Sequence, residues 1–415
     1  LIRNPMKKAL LFIGMILMAA GLFAQEEKEV VTGAGYANDV YYSLETGTVT
    51  TVQRDNWDIG IITQIYSVSI LTNGGSGVEL YTYTNGDTAN WADLDTTGMM
   101  WKPLYNSLET WDEGAFSANA TGHPDYGWGI YGGMGLITGD SLYVLKTIAG
   151  AWKKVAIVEK LATNQWEFKY ANLDGTEEMT VNLNAKDYPD PSFVYYSLDS
   201  MKLQEREPAT AEWDLLFTKY WDNSIPYSVT GVLANEDHIE LQEVREAGMD
   251  QSTHNSFEEA DFTSEISVIG SDWKDFDFST GWILTDTVVY YLKAYGETDS
   301  TYYKIYFTGF TGMSEGKYTF MQEQIESVSN RAPAAVQLLE VYPNPASDQL
   351  NVVLDHEGEI RISVIDITGR MLQSNSYVSG GFHTHTLNIS DLDPGLFFIR
   401  LEAGSESQVV RFIKE

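Results

Sequence analysis

The pentapeptide Val-Tyr-Tyr-Ser-Leu stands at Val40–Leu44 and again at Val194–Leu198. A chain that spells an apolar-aromatic element twice is constrained to build that element twice. The second copy lies 154 residues after the first, and the Trp-Asp pairs that follow them, Trp57-Asp58 and Trp213-Asp214, lie 156 residues apart. Three later landmarks keep the same order at offsets of 147, 150 and 152 residues: Tyr143 with Tyr290, Lys153 with Tyr303, and Trp166 with Tyr318. Chance matches would scatter, so the pattern reads as a tandem duplication.

Within the copies the apolar residues alternate or run in short β-branched and aromatic stretches, such as Val288–Leu292 and Lys304–Phe310. Gly-, Asn- and Asp-containing turns recur about every ten residues, and long helical periodicity is missing. The expectation is an all-β chain. Its 415 residues exceed what one core holds. The division expected is an export signal at 1–24, repeat 1 at 25–190, repeat 2 at 191–325, a linker at 326–340 and a third unit at 341–415. Pro343 and Pro345 mark the entry to that unit, because neither can donate to a ladder. Inside it, Leu350, Val352 and Leu354 alternate with polar neighbours, as do Phe397, Ile399 and Leu401.

The first residues have the form of an export signal. Lys7 and Lys8 precede the apolar run Ala9–Phe23, which is too short to span a bilayer, and Ala24 supplies a small residue before the cut. Met6 is the expected true start. No later segment is long and apolar enough to span a membrane, so an exported chain without an integral span is expected. There is no cysteine, which excludes both disulfides and a lipid-anchoring thiol. A formal net charge of −33 makes nucleic acid or an anionic membrane a poor partner.

"YPNPASDQLNV", "ISVIDITGR", "LNISDLDPGLFFIRL" and the terminal "VVRFIKE" occur in that order. Together they resemble the C-terminal sorting domain of type IX secretion substrates in Bacteroidota. The resemblance implies a small immunoglobulin-like β-sandwich, type IX secretion machinery as partner, and localisation at the outer-membrane surface or in the medium. Its motif residues here are Tyr342, Pro343, Asn344, Pro345, Gly369 and Gly395.

The first copy carries "YYSLETGTV", "NWDIGI", "ILTNGGSG" and "YVLKTIAGAWKKVAIVEKLATNQWEFKY", and resembles the HmuY-type haem-binding proteins of the same phylum. The second copy keeps "YYSL", "WDLLF" and "YYLKAYGETDSTYYKIYF" but has no Asn-Gly-Gly stretch where "YSVTGVLANED" stands. The resemblance implies two tandem HmuY-like β domains, non-enzymatic haem capture and an outer-membrane haem receptor as partner. Without cysteine the axial ligands would be His, Met or Tyr. In repeat 1 the implied cofactor-binding and iron-ligating pair is Met100 with Met134, and His123 is the substitute; in repeat 2 His238, Met249 and His254 lie in a polar stretch, marked by nothing beyond availability.

Other chemistry finds little support. "GWGIYG" (127–132) fits G-x-G-x-x-G but lacks the strand-before, helix-after frame of a dinucleotide site. Asp58 and Asp214 occupy equivalent places in two copies, which favours a structural corner over a catalytic carboxylate pair. No enzyme is expected. The competing expectation is a surface adhesion, structural or glycan-binding β protein without haem, since 11 Trp and 25 Tyr suit ring stacking as well as a core.

Overall fold

The two Val-Tyr-Tyr-Ser-Leu stretches are apolar on both faces, and such a run is stable only as an interior strand with ladders on both sides. Both stretches lie in four-stranded sheets, and each pairs with the other copy. The strand Asn38–Tyr42 lies between Val49–Gln53 and Leu215–Trp221, with Val40 opposite Phe217. The strand Phe193–Ser197 lies between Lys202–Gln204 and Ile59–Ile62, with Val194 opposite Ile61. The strand that opens each copy therefore completes the other copy's sheet.

The computed structural model describes residues 25–222, 224–225, 227–296, 300–325, 337–366, 370–403 and 406–415. The expected signal at 1–24, residues 326–336 of the expected linker and Gly369 lie outside the described residues. Among the described residues the elements are strands and short 3-10 turns, so the chain is all-β, and no helix is long and apolar enough to cross a membrane. It divides into two compact units, 1–327 and 328–415.

The first unit holds two large cores. One gathers Trp57, Ile59, Leu80, Phe116, Trp128, Tyr143, Trp166 and Tyr170, and is closed by Phe193–Leu198. The other gathers Leu215, Phe217, Trp273, Tyr290, Ile305 and Phe320 together with Val30, Val40, Tyr42 and Leu44 from the start of the chain. The strand Glu26–Val31 joins the same body, antiparallel to Lys317–Ile325 with Val30 opposite Tyr318. All strands of the first core thus come from one contiguous stretch, whereas the second core needs two.

Matching polar clamps hold the exchanged strands. Asp58, buried, accepts the Leu198 amide at 2.7 Å on Oδ2 and the Ile148 amide at 3.1 Å on Oδ1. Asp214, equally buried, accepts the Leu44 amide at 2.6 Å on Oδ2, and Oδ1 lies 2.7 Å from His238 Nδ1. Asn73 Nδ2 donates to the carbonyls of Arg54 and Trp57, and Asn235 Nδ2 donates to those of Thr210 and Trp213. Trp57 meets Tyr195 edge-on at 4.8 Å, and Trp213 meets Tyr41 at 5.0 Å, each pair drawn from both copies. The Asn-Gly-Gly turn therefore has a counterpart after all: its asparagine recurs as Asn235 in "LANED". Gly75 in that turn is required by close approach, since a Cβ there would lie 1.7 Å from the Lys219 carbonyl oxygen in the other copy.

The second unit is a five-stranded antiparallel sheet structure built from Gln337–Tyr342, Gln349–Asp366, Met371–Asn388, Gly395–Ala403 and Glu406–Lys414. Leu350, Val352, Leu354, Phe397, Ile399 and Leu401, on the alternate positions the sequence marks, form its core together with Phe412. Tyr342, Pro343, Asn344 and Pro345 are exposed. Asn344 Oδ1 accepts the Ile413 amide at 2.9 Å, which ties the entry segment to the last strand.

Strand exchange makes a prediction for isolated pieces. A fragment 54–204 should fold by itself and unfold cooperatively. A fragment 205–325 should not, and adding 25–53, fused or as a peptide, should restore its cooperative transition by circular dichroism and denaturant titration. Independent folding of 205–325 with an unchanged midpoint would contradict the exchange.

Candidate functional site

The segment 105–113 leaves the first core and lies against the second. Tyr105 stacks on Trp221 with ring centroids 4.7 Å apart and planes 5° from parallel. The Trp111 amide and Thr110 Oγ1 both donate to Glu236 Oε1, at 2.7 and 3.0 Å. Trp111 Nε1 donates to the Ala234 carbonyl at 2.8 Å. The indole is thus tied by its own bond to Ala234, and its backbone and that of Thr110 are held beside it by Glu236, while the ring remains half-buried.

Beside it opens a cleft of about 430 Å³, lined from both copies. Its aromatic walls are Tyr41, Trp111, Tyr188, Phe193, Tyr195 and Trp213; its polar lining includes Asn164, Thr210, Glu207, Glu236, Asp237 and Asp112, with Lys186 as a cation. That volume falls in the roughly 300–1,000 Å³ range of small-molecule sites, and an aromatic wall with a few fixed polar groups is their usual composition.

Electrostatics set the carboxyl groups apart. Desolvation pushes Glu207 up to about 7, although its oxygens accept from Tyr195 Oη at 2.7 Å and from the Ser192 amide at 3.0 Å. Desolvation also raises Glu236 and Asp237, and the nearby charge of Asp112 adds to both shifts. Behind Glu207 lies a buried ion pair, Arg206 Nη2 to Asp39 Oδ2 at 2.5 Å, with Thr218 Oγ1 donating to Asp39 Oδ1 at 2.6 Å. The guanidinium sits 5.4 Å from the Trp57 ring centroid and 4.9 Å from that of Tyr195, within cation–π range.

The residues implied by the haem resemblance lie elsewhere. Met134 is 97% exposed at the tip of the hairpin formed by Gly129–Gly133 and Leu136–Gly139. Met100 is 69% exposed, beside a surface group of Tyr81, Trp101 and Trp152. His123 is exposed, with Nδ1 3.3 Å from Tyr126 Oη and its ring tilted against Tyr131. None of the three lines the cleft. In the second copy His238 serves the Asp214 clamp, and His254 Nδ1 lies 2.8 Å from Tyr291 Oη. Among the described residues no group of three His, Asp or Glu is arranged to hold a metal ion. The "GWGIYG" segment runs into the same hairpin, without the helix a dinucleotide site requires.

Sequence reasoning did not find Trp111, Asn164, Glu207, Glu236 or Asp237. They come from widely separated segments and form no local motif. One signal was present: Glu236 and Asp237 directly follow the asparagine that repeats the Asn73 clamp.

Compared with known proteins, residues 340–415 match the family described as secretion system C-terminal sorting domain. A search of curated proteins found no match. The second unit is therefore a type IX sorting domain, and the chain is exported to the cell surface or released.

Glu207 gives the cleft a testable pH signature. Its ordinary value of 4.5 applies to the unfolded chain and about 7 to the folded one. The folded state therefore binds the extra proton between these values, and this contribution to stability is complete below the lower value and lost as pH rises through the upper. Relative to wild type, Glu207→Gln should gain stability progressively from about pH 5 to about pH 8 by denaturant midpoints. A pH-independent difference would contradict the assignment.

Proposed function

We propose that this chain is a non-enzymatic binding protein, carried out of the cell by its type IX sorting domain, whose first unit holds a short saccharide in the aromatic cleft. The observation that carries the reading is Trp111, half-buried, its indole bonded to Ala234 and its backbone amide to Glu236 across the junction of the two copies. A sugar ring offers an apolar face to such a platform and hydroxyl groups to the carboxylates and amide around it. Rigid placement lowers the ordering cost of binding, which matters for a small, polar ligand.

The haem reading, with its HmuY-type likeness and its receptor, draws less support from the geometry. It rests on Met100, Met134 and His123, which are solvent-exposed and away from the cleft, and among the described residues neither Met nor His lines the cleft itself.

The mature chain, screened on an oligosaccharide panel and followed by calorimetry, should bind at least one short glycan saturably. Trp111→Ala should weaken that binding by on the order of 2 kcal/mol, roughly thirtyfold in Kd. Haem added to the same protein should give no saturable shift of the Soret band. Failure of the whole panel, or binding indifferent to Trp111, would overturn the saccharide reading; a stoichiometric Soret shift would restore the haem one.

A further inference from the structure

Within the saccharide reading, on which it rests, we propose that the cleft selects a sugar bearing a free, protonated amine. Among the described residues four carboxyl groups line it, Asp112, Glu207, Glu236 and Asp237, against one lysine, Lys186, which is exposed. Arg206 lies behind Glu207, but its charge is committed to Asp39. The lining is thus rich in acceptors and poor in cations.

A second observation, independent of the acids, points the same way. Asn164 is only 2% exposed and lines the cleft from the first copy. Its Nδ2 donates to the Thr63 carbonyl at 2.6 Å, whereas its Oδ1 is buried without a hydrogen-bond partner. A buried acceptor left unmade costs roughly 1–3 kcal/mol, so a ligand donor that reaches it by a small shift of the cleft wall recovers that cost. An ammonium group brings three donors and a charge, which answers both the amide oxygen and the carboxylates. Trp213 Nε1, buried and without a partner in the same lining, suits a ring or hydroxyl oxygen of the same sugar.

The chain already contains a cation in a comparable frame. Arg206 is held by one carboxylate and the Trp57–Tyr195 pair. The matching pair of the other copy, Trp213 and Tyr41, lines the cleft, and among the described residues no Lys or Arg lies over either ring. A cation on a Trp or Tyr face beside carboxylates is favourable twice over, through the ring quadrupole and through direct charge.

The test compares glucosamine oligomers with their N-acetylated counterparts of equal length, by calorimetry on the mature chain at neutral pH, so that Glu207 is not held in its uncharged form. The amine form should bind about tenfold tighter or better. That preference should shrink with added salt, and it should disappear in the double variant Glu236→Gln, Asp237→Asn, in which the Trp111 anchor keeps an acceptor. Equal binding of both forms, or binding of neutral glycans only, would overturn the amine selectivity and leave the saccharide reading standing. Binding of no oligosaccharide at all would overturn both.

Discussion

Two backbone amides, those of Leu44 and Leu198, donate into carboxylates that belong to the opposite copy, Asp214 and Asp58. Everything else in the first unit depends on this reciprocal grip. Each bond fixes the end of a strand that is buried on both faces. A buried amide without its acceptor costs roughly 1–3 kcal/mol, so each Trp-Asp corner secures the register of a strand it is not adjacent to in sequence. The indole beside each Asp then packs edge-on against the tyrosine delivered by the exchanged strand. Sheet pairing, side-chain clamp and ring packing all specify the same partner, a consistency across levels that favours a single fold.

The cleft is a product of the same arrangement. Tyr41 and Tyr195 reach it because their strands have crossed to the other copy, and Trp111 reaches it because its loop is bonded across the junction to Ala234 and Glu236. Carboxyl groups placed on such a junction lose solvent, and that loss outweighs the hydrogen bonds they accept and, at Glu207, the charge of Arg206, which is why Glu207, Glu236 and Asp237 all hold protons more tightly than free carboxyls do. The two copies are not equivalent in this respect. Arg206 fills the frame around Trp57, while the frame around Trp213 faces the cleft.

Much of this architecture was legible before any coordinates. Period-two alternation marks Leu350, Val352, Leu354, Phe397, Ile399 and Leu401, all of which lie in the core of the sorting domain, and the repeated landmarks read as a duplication. Which strand pairs with which was not legible, for a physical reason. When Val40 and Val194 share a sequence, a ladder with Ile61 or with Phe217 buries the same side chains, so pattern alone cannot choose between pairing within a copy and pairing across copies. The binding cleft was less legible still. It gathers Tyr41, Trp111, Asn164, Glu207 and Asp237 from five separate segments. The Met and His residues chosen from chemistry, Met100, Met134 and His123, stand on exposed turns instead. Asn73 shows the middle case: its turn looked unique to one copy, while the side chain that matters recurs in a turn of different sequence.

The exchange itself can be read directly in the mature chain, without substitution, from cross-strand nuclear Overhauser effects in a deuterated sample. Strand exchange places the backbones of Val40 and Phe217, and those of Val194 and Ile61, in contact, and both contacts are the expected result. Contacts between Val40 and Ile61, and between Val194 and Phe217, would place each opening strand in its own copy and contradict it.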